Sequence, residues 1–214
     1  MHFLETRLRK QIQSILVSDY RGPKASIGEV DILKALFAIG NSGSSLGRFK
    51  LGKITGLGQG EVRTLIARLK EARLVTVESR GCALTDDGRK KFDSISKAIP
   101  KSESVEAKEL ALGRYCWSVI VRGRATHVKK GLEQRDAAIR AGATGAFTAV
   151  YDAGKCKIPS DSNRRDWEAL GSSEPWNSIA ERDSLEDGDV IILSGADSLS
   201  LAEEGALAAA LTVL

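Results

Sequence analysis

The sequence predicts an α+β protein in which an N-terminal winged helix-turn-helix is followed by a small α/β domain. Three observations lead to this prediction. Residues 46–95 follow the order short helix, tight turn, longer helix, two short strands and helix, which is the order of a winged helix. Beyond residue 113, apolar strand-like runs alternate with helical segments. Residues 1–95 hold 17 Lys and Arg against 10 Asp and Glu, whereas the remainder holds 15 against 18.

The chain divides into four predicted parts. Residues 1–23 contain an N-terminal amphipathic helix, and residues 24–95 form the winged helix-turn-helix domain. A polar run of mixed charge that contains Pro100 predicts a linker over residues 96–113. Residues 114–214 form the small α/β domain. The net charge of +7 on the first 95 residues indicates that this half has a polyanionic partner.

The segment from residue 61 to residue 74 is the predicted DNA-reading helix. Val62, Leu65, Ile66 and Leu69 fall within about 100° of one another on a helical wheel, so they predict a buried face. The opposite side carries small side chains that allow close approach to a duplex. The residues expected to contact bases or phosphates lie on this helix, on the short helix before it and at the hairpin tip; they are Lys50, Lys53, Gln59, Arg63, Thr64, Arg68 and Arg80.

The segment LTDDGRKKF, after the predicted hairpin, resembles the strand-to-helix ending of many prokaryotic winged-helix regulators. Thr85 is expected to cap the following helix, with Asp86 and Asp87 in its first turn. Such regulators commonly bind as dimers, so the resemblance implies a homodimer. Two roles stay open for the N-terminal helix, which is either the dimer contact or a helix that packs on its own domain.

Two segments of the second domain, GLEQRDAAIRAGATGAFTAVY and DGDVIILSGADSLSLAEEGALAAAL, carry a further resemblance. They resemble an archaeal family of uncharacterised proteins that joins an N-terminal winged helix to a small C-terminal domain of unknown function. The resemblance covers most of the chain. It implies a predicted transcriptional regulator and assigns no activity to the C-terminal domain.

Three charged residues of the second domain are candidates for a small-molecule site. Arg135 and Asp136 lie on its first predicted helix, and Asp197 follows a buried strand. In open α/β sheets, ligands bind at the carboxyl ends of the strands, so a pocket for a small-molecule effector is one interpretation. The other is that Asp197 is a helix N-cap and that the helix charges form solvated ion pairs.

The composition argues against several other classes of protein. Cys82, Cys116 and Cys156 are far apart and only two histidines are present, so neither a disulfide framework nor a zinc site is expected. No apolar run approaches the roughly 20 residues of a membrane-spanning helix, and the start of the chain lacks the apolar core of a secretory signal. We therefore expect a cytoplasmic protein without metal, cofactor or membrane partner.

The sequence favours a DNA-binding transcriptional regulator that reads duplex DNA with its winged helix and uses its C-terminal domain for dimerisation or ligand sensing. Catalysis has little support, because the chain contains no G-x-S-x-G and no H-E-x-x-H. Two alternatives stay open. One is an enzyme of small-molecule metabolism with a winged-helix appendage, and the other is a protein-interaction adaptor built on a winged helix.

Overall fold

The chain consists of two compact units, Met1–Ser96 and Lys97–Leu214. A computed structural model describes residues 7–16, 27–110, 112–159, 168–169 and 175–214. The predicted N-terminal helix therefore lies partly outside the described residues.

The first unit is made of helices and one hairpin. Its elements are α1 (Arg7–Leu16), α2 (Glu29–Asn41), α3 (Arg48–Thr55), α4 (Gln59–Glu71), β1 (Val75–Glu78), β2 (Gly81–Leu84) and α5 (Asp86–Ala98). The order of elements over residues 46–95 is the predicted one. The helix expected over residues 61–74 begins two residues earlier, because Gly58 is its N-cap and donates its N–H to Glu61 Oε2 at 2.9 Å.

The core of this unit forms where α1, α2 and α4 pack together. Helix α4 buries Val62, Leu65, Ile66 and Leu69, which confirms the face predicted from their spacing. Helix α1 packs against α2 and α4 and buries its apolar side chains, which are Leu8, Ile12 and Ile15. The described apolar face of α1 is therefore used inside its own unit, as the second of its two predicted roles requires.

The junction between the hairpin and α5 is fixed by Thr85, as predicted. The Thr85 hydroxyl accepts a hydrogen bond from the Gly88 N–H at 3.0 Å and donates one to the Arg73 carbonyl at 2.6 Å. The first turn of α5 lies directly on the backbone of Leu74. A Cβ atom at Gly88 would be 1.9 Å from the Leu74 carbonyl oxygen, so only glycine fits this contact.

The second unit is built on a six-stranded sheet in which every neighbouring pair is antiparallel. The order across the sheet is β3-β4-β8-β5-β6-β7. The strands are β3 (Lys101–Val105), β4 (Tyr115–Val121), β5 (Gly145–Asp152), β6 (Lys155–Ile158), β7 (Glu168–Ala169) and β8 (Val190–Ala196).

This topology corrects the α/β prediction for residues 114–214, since the unit is α+β. Strand β8 lies between β4 and β5 and runs antiparallel to both. All seven residues of β8 are buried. A strand buried on both faces shows a continuous apolar run in either direction, so the sequence does not reveal which way it runs.

Helices cover both faces of the sheet. On one face lie α6 (Leu132–Arg140) and α8 (Leu199–Leu211), which pack against each other and against β4, β5 and β8. On the other face α7 (Trp176–Arg182) contributes Trp176 and Ile179 to an apolar cluster that includes Ile191 and Leu193 of β8. The central strands are therefore covered on both sides.

The linker predicted over residues 96–113 needs a correction, because residues 101–105 are strand β3 at the edge of the sheet. Charged side chains tie this strand to the end of α7. Arg182 contacts Glu103 at 2.6 Å and Asp183 at 2.8 Å, and Lys101 Nζ lies 3.5 Å from Asp183 Oδ1. The mixed charges that suggested a solvated linker belong to this network.

We predict that Gly88→Ala destabilises the protein and that Gly60→Ala does not. The Gly88 substitution would push α5 away from the Leu74 backbone, at a cost of about 1–3 kcal/mol. Nothing lies within 4 Å of a Cβ atom at Gly60, an exposed residue of α4, so alanine there should stabilise the helix by up to about 1 kcal/mol. Urea unfolding of the full chain measures both. Equal effects of the two substitutions would contradict the close contact.

We predict that Asp183 stabilises the second unit at neutral pH and loses this effect in acid. Burial raises the pKa of its carboxyl, but the hydrogen bond from Arg182 and the charges of Arg182 and Lys101 outweigh burial, so the pKa lies below the ordinary 3.8. A group with a lowered pKa stabilises the fold above its ordinary pKa and stops doing so as the pH falls through the lowered value.

The measurement is the free energy of unfolding of wild type and Asp183→Asn at neutral pH and at about pH 3. The difference between the two proteins should be largest at neutral pH and should shrink in acid. A difference that does not change with pH would show that the charge of Asp183 makes no contribution.

Candidate nucleic-acid interface

A groove of about 430 Å³ runs between α4 and the β1–β2 hairpin of the first unit. One side is formed by α4 and the other by residues 77–82 of the hairpin. Gly47 and Arg48, at the start of α3, complete the lining. Three elements that are separate in sequence therefore form one open surface.

The groove is strongly cationic. Arg48, Arg63, Lys70 and Arg80 line it, and Glu78 is the single acid among the lining residues. Glu78 Oε2 accepts a hydrogen bond from the Ser45 hydroxyl at 2.7 Å. In the described part of the chain, none of the four cations forms an ion pair with a carboxylate. The groove thus offers a net charge of +3 to a ligand.

Apolar side chains lie between these cations. Ile66 and Ala67 of α4 face Val77 and Cys82 of the hairpin. Val77 is 52% exposed even though it belongs to a strand. The groove therefore combines a cationic rim with apolar side chains between the cations.

The hairpin is held in place by a backbone connection to the segment before α3. Leu46 N–H donates to the Cys82 carbonyl at 2.8 Å, and Cys82 N–H donates to the Leu46 carbonyl at 3.0 Å. Gly81 makes this approach possible, because its φ is +144° and a Cβ atom there would be 2.3 Å from the Leu46 carbonyl oxygen. Arg80 directly precedes Gly81, so its position depends on this connection.

The structure brings two of the seven predicted DNA contacts, Arg63 and Arg80, into the groove. Arg68 is about 140° from Arg63 around α4, so it lies on the other flank of the helix. The Arg68 Nε is buried and has no hydrogen-bond partner within the described residues. Thr64 donates its hydroxyl to the Gly60 carbonyl of its own helix at 3.2 Å.

The other three predicted contacts lie near the turn between α3 and α4. Lys50 and Lys53 are exposed on α3, and Lys53 Nζ is 4.8 Å from the centre of the exposed Phe49 ring. Gln59 Nε2 would lie 3.3 Å from a Cβ atom at Gly52, so its amide lies against α3.

Two groove cations, Arg48 and Lys70, were not among the predicted contacts. Lys70 follows Arg63 by seven residues, which places both on the same side of α4, about 20° apart. This spacing is visible in the sequence. The position of Arg48 is not, because it depends on the tertiary connection between Leu46 and Cys82.

The three candidate ligand residues of the second unit stay near the surface. Arg135 Nη2 is 3.2 Å from Asp136 Oδ1, and the two side chains are 52% and 49% exposed. Asp197 is exposed, and Ser198 is the N-cap of α8, accepting from the Leu201 N–H at 3.3 Å. The alternative role of Asp197 as N-cap was therefore wrong.

The carboxyl ends of neighbouring strands do not meet at one edge of this sheet, because the sheet is antiparallel. The carboxyl end of β8 lies beside the amino ends of β4 and β5, where Ala196 pairs with Tyr115 and Gly195 pairs with Gly145. A second groove, of about 380 Å³, borders Tyr115 and Leu199, and none of the three predicted ligand residues lines it.

Comparison with known proteins supports the fold and identifies no activity. Residues 112–213 match a family described as "Domain of unknown function (DUF4443)". A solved structure of a hypothetical protein from Pyrococcus horikoshii OT3 is similar over 88% of this chain and 93% of that chain, with a TM-score of 0.70 and 24% sequence identity. No curated protein matches. These similarities agree with the predicted resemblance to an archaeal family with a C-terminal domain of unknown function, and at this identity the solved structure supports the fold alone.

The described residues form neither a metal centre nor a membrane-spanning helix. No group of three or more His, Cys, Asp or Glu side chains in the described ranges is arranged to hold a metal ion. Among the helices that the structure describes, none has both the length and the apolar character needed to cross a bilayer.

We predict that the three thiols react slowly with Ellman's reagent in the native protein and fully after denaturation. Cys82, Cys116 and Cys156 are all buried. Burial raises the pKa of each thiol, to about 11 for Cys156, so little reactive thiolate exists at neutral pH. The colour released per chain over time gives the number and rate of reactive thiols. A fast phase of one thiol in the native protein would show that a cysteine is accessible.

Proposed function

We propose that the first unit is a winged helix-turn-helix that binds duplex DNA and that the chain is a DNA-binding regulator of transcription. The observation that carries this proposal is the cationic groove between α4 and the hairpin. Helix α3, the turn of Gly56 to Gly58 and helix α4 supply the helix-turn-helix, and β1–β2 supplies the wing. Gly56, with φ of +78°, allows the three-residue turn.

The groove suits one sugar-phosphate strand of a duplex. With the exposed side of α4 in the major groove, the strand beside it would pass between α4 and the wing. Arg63 and Lys70 would contact its phosphates from α4, and Arg80 and Arg48 would contact them from the hairpin and the start of α3. Lys50 and Lys53 on α3 would reach the backbone nearer the turn.

The positive charges of the groove favour DNA over an uncharged partner. Among the described residues the groove cations have no carboxylate partner, so a polyanion gains their attraction without breaking ion pairs there. An adaptor that binds neutral or basic proteins would be repelled by the same charges or gain nothing from them. The second unit, which carries the matched domain of unknown function, would supply dimerisation or effector sensing.

We predict that the full chain binds pooled genomic duplex fragments at low salt and that binding weakens steeply as salt increases. Four phosphate contacts correspond to a slope of log affinity against log salt of about −3.6. Arg63→Ala and Lys70→Ala should each weaken binding and reduce the slope by about 1. Glu78→Gln should strengthen binding, because it removes the single acid that lines the groove while keeping an acceptor for Ser45.

The matched control is Lys155→Ala, which removes an exposed cation of the second unit. It should leave affinity and slope unchanged. Fluorescence anisotropy across a salt series measures all five proteins. The proposal fails if wild type does not bind duplex at low salt, or if the groove variants behave like the Lys155 variant.

A further inference from the structure

The solvent-facing side of α6 carries two large apolar side chains where charged residues are normal. Leu132 is 49% exposed and Ile139 is 47% exposed. The buried residues of this helix are Gln134, Ala137 and Ala138, and they face the opposite way. On a helical wheel Leu132 and Ile139 are about 20° apart, so both lie at the crest of the exposed side.

Two opposite charges lie between these apolar residues along the helix, one on each side of the crest. Arg135 and Asp136 are each about half exposed, and Arg135 Nη2 is 3.2 Å from Asp136 Oδ1. Along the helix the crest reads apolar, cation, anion, apolar. Read in the reverse direction it becomes apolar, anion, cation, apolar, which is the complementary pattern.

We propose that this face of α6 binds the same face of a second copy of the chain, with the two helices antiparallel. A twofold axis between residues 135 and 136 places Leu132 of one copy against Ile139 of the other. The same axis places Arg135 of each copy against Asp136 of the other. In a twofold contact a single surface must complement itself, and this crest meets that requirement in both its apolar and its charged positions.

One apolar side chain of α8 lies beside this face. Leu201, in the first turn of α8, is 37% exposed and lies against Gly142, beyond the carboxyl end of α6. Glu133 and Arg140 lie on one flank of α6, about 100° from the crest on a helical wheel, so both stay at the edge of the proposed contact.

The net charge of the face decides which class of occupant fits it. Glu133, Arg135, Asp136 and Arg140 sum to zero, so the face neither attracts nor repels a polyanion. Its attraction depends on the order of the charges along the helix. A second copy of the chain, with its α6 antiparallel to the first, presents the same charges in the reverse order.

The test is sedimentation equilibrium of the full chain with variants that change the order of charges. Wild type should be a dimer. Arg135→Asp and Asp136→Arg should each weaken dimerisation by at least about tenfold, because each places like charges against each other twice. The double variant Arg135→Asp with Asp136→Arg should dimerise like wild type. An equimolar mixture of the two single variants should form heterodimers.

Asp187→Arg, an exposed charge change elsewhere in the same unit, is the control and should leave the dimer intact. Leu132→Glu should dissociate the dimer with an unchanged circular dichroism spectrum. A monomeric wild type overturns the inference, and so does a dimer that neither single charge variant weakens. The measurement contains no DNA, so its outcome is independent of the proposed DNA binding.

Discussion

Two backbone hydrogen bonds between Leu46 and Cys82 fix the geometry on which the proposed interface depends. They attach the hairpin to the residues that enter α3, and the turn at Gly56 attaches α3 to α4. The hairpin and α4 are thereby held on either side of one groove instead of being joined only through residues 72–74. The contact requires glycine at residue 81, because any side chain there would overlap the Leu46 carbonyl.

The two units use their charges in different ways. In the second unit, two buried carboxylates are paired with cations: Asp189 with Arg122 at the end of β4, and Asp183 with Arg182 at the end of α7. Such pairs offset the cost of burying a charge, and they leave little field for a distant ligand. In the first unit the groove cations are exposed and have no carboxylate partner in the described part of the chain, so their field extends to a polyanion. The excess of positive charge on residues 1–95 therefore includes exposed cations that a polyanion can reach.

Most of the fold could be predicted from local sequence patterns. The rest depends on contacts between segments that are distant in the chain. The apolar spacing of α4 and the capping by Thr85 depend on neighbouring residues, so the sequence was sufficient to predict both. The direction of β8 and the membership of residues 101–105 in the sheet depend on pairing between distant strands. The predicted α/β sheet and the predicted linker over residues 96–113 were wrong for this reason. The candidate interface divides in the same way: Arg63 and Arg80 could be selected from local position, whereas Arg48 reaches the groove only because Leu46 pairs with Cys82.

The central claim is that α4 and the hairpin together receive a duplex. Amide hydrogen exchange of the full chain, with and without a saturating pool of duplex fragments, tests it residue by residue. We expect duplex to slow exchange in residues 59–71 and 75–84 and to leave the outer face of α6 unchanged. Protection confined to the second unit, or an exchange pattern that duplex does not alter, would contradict the account.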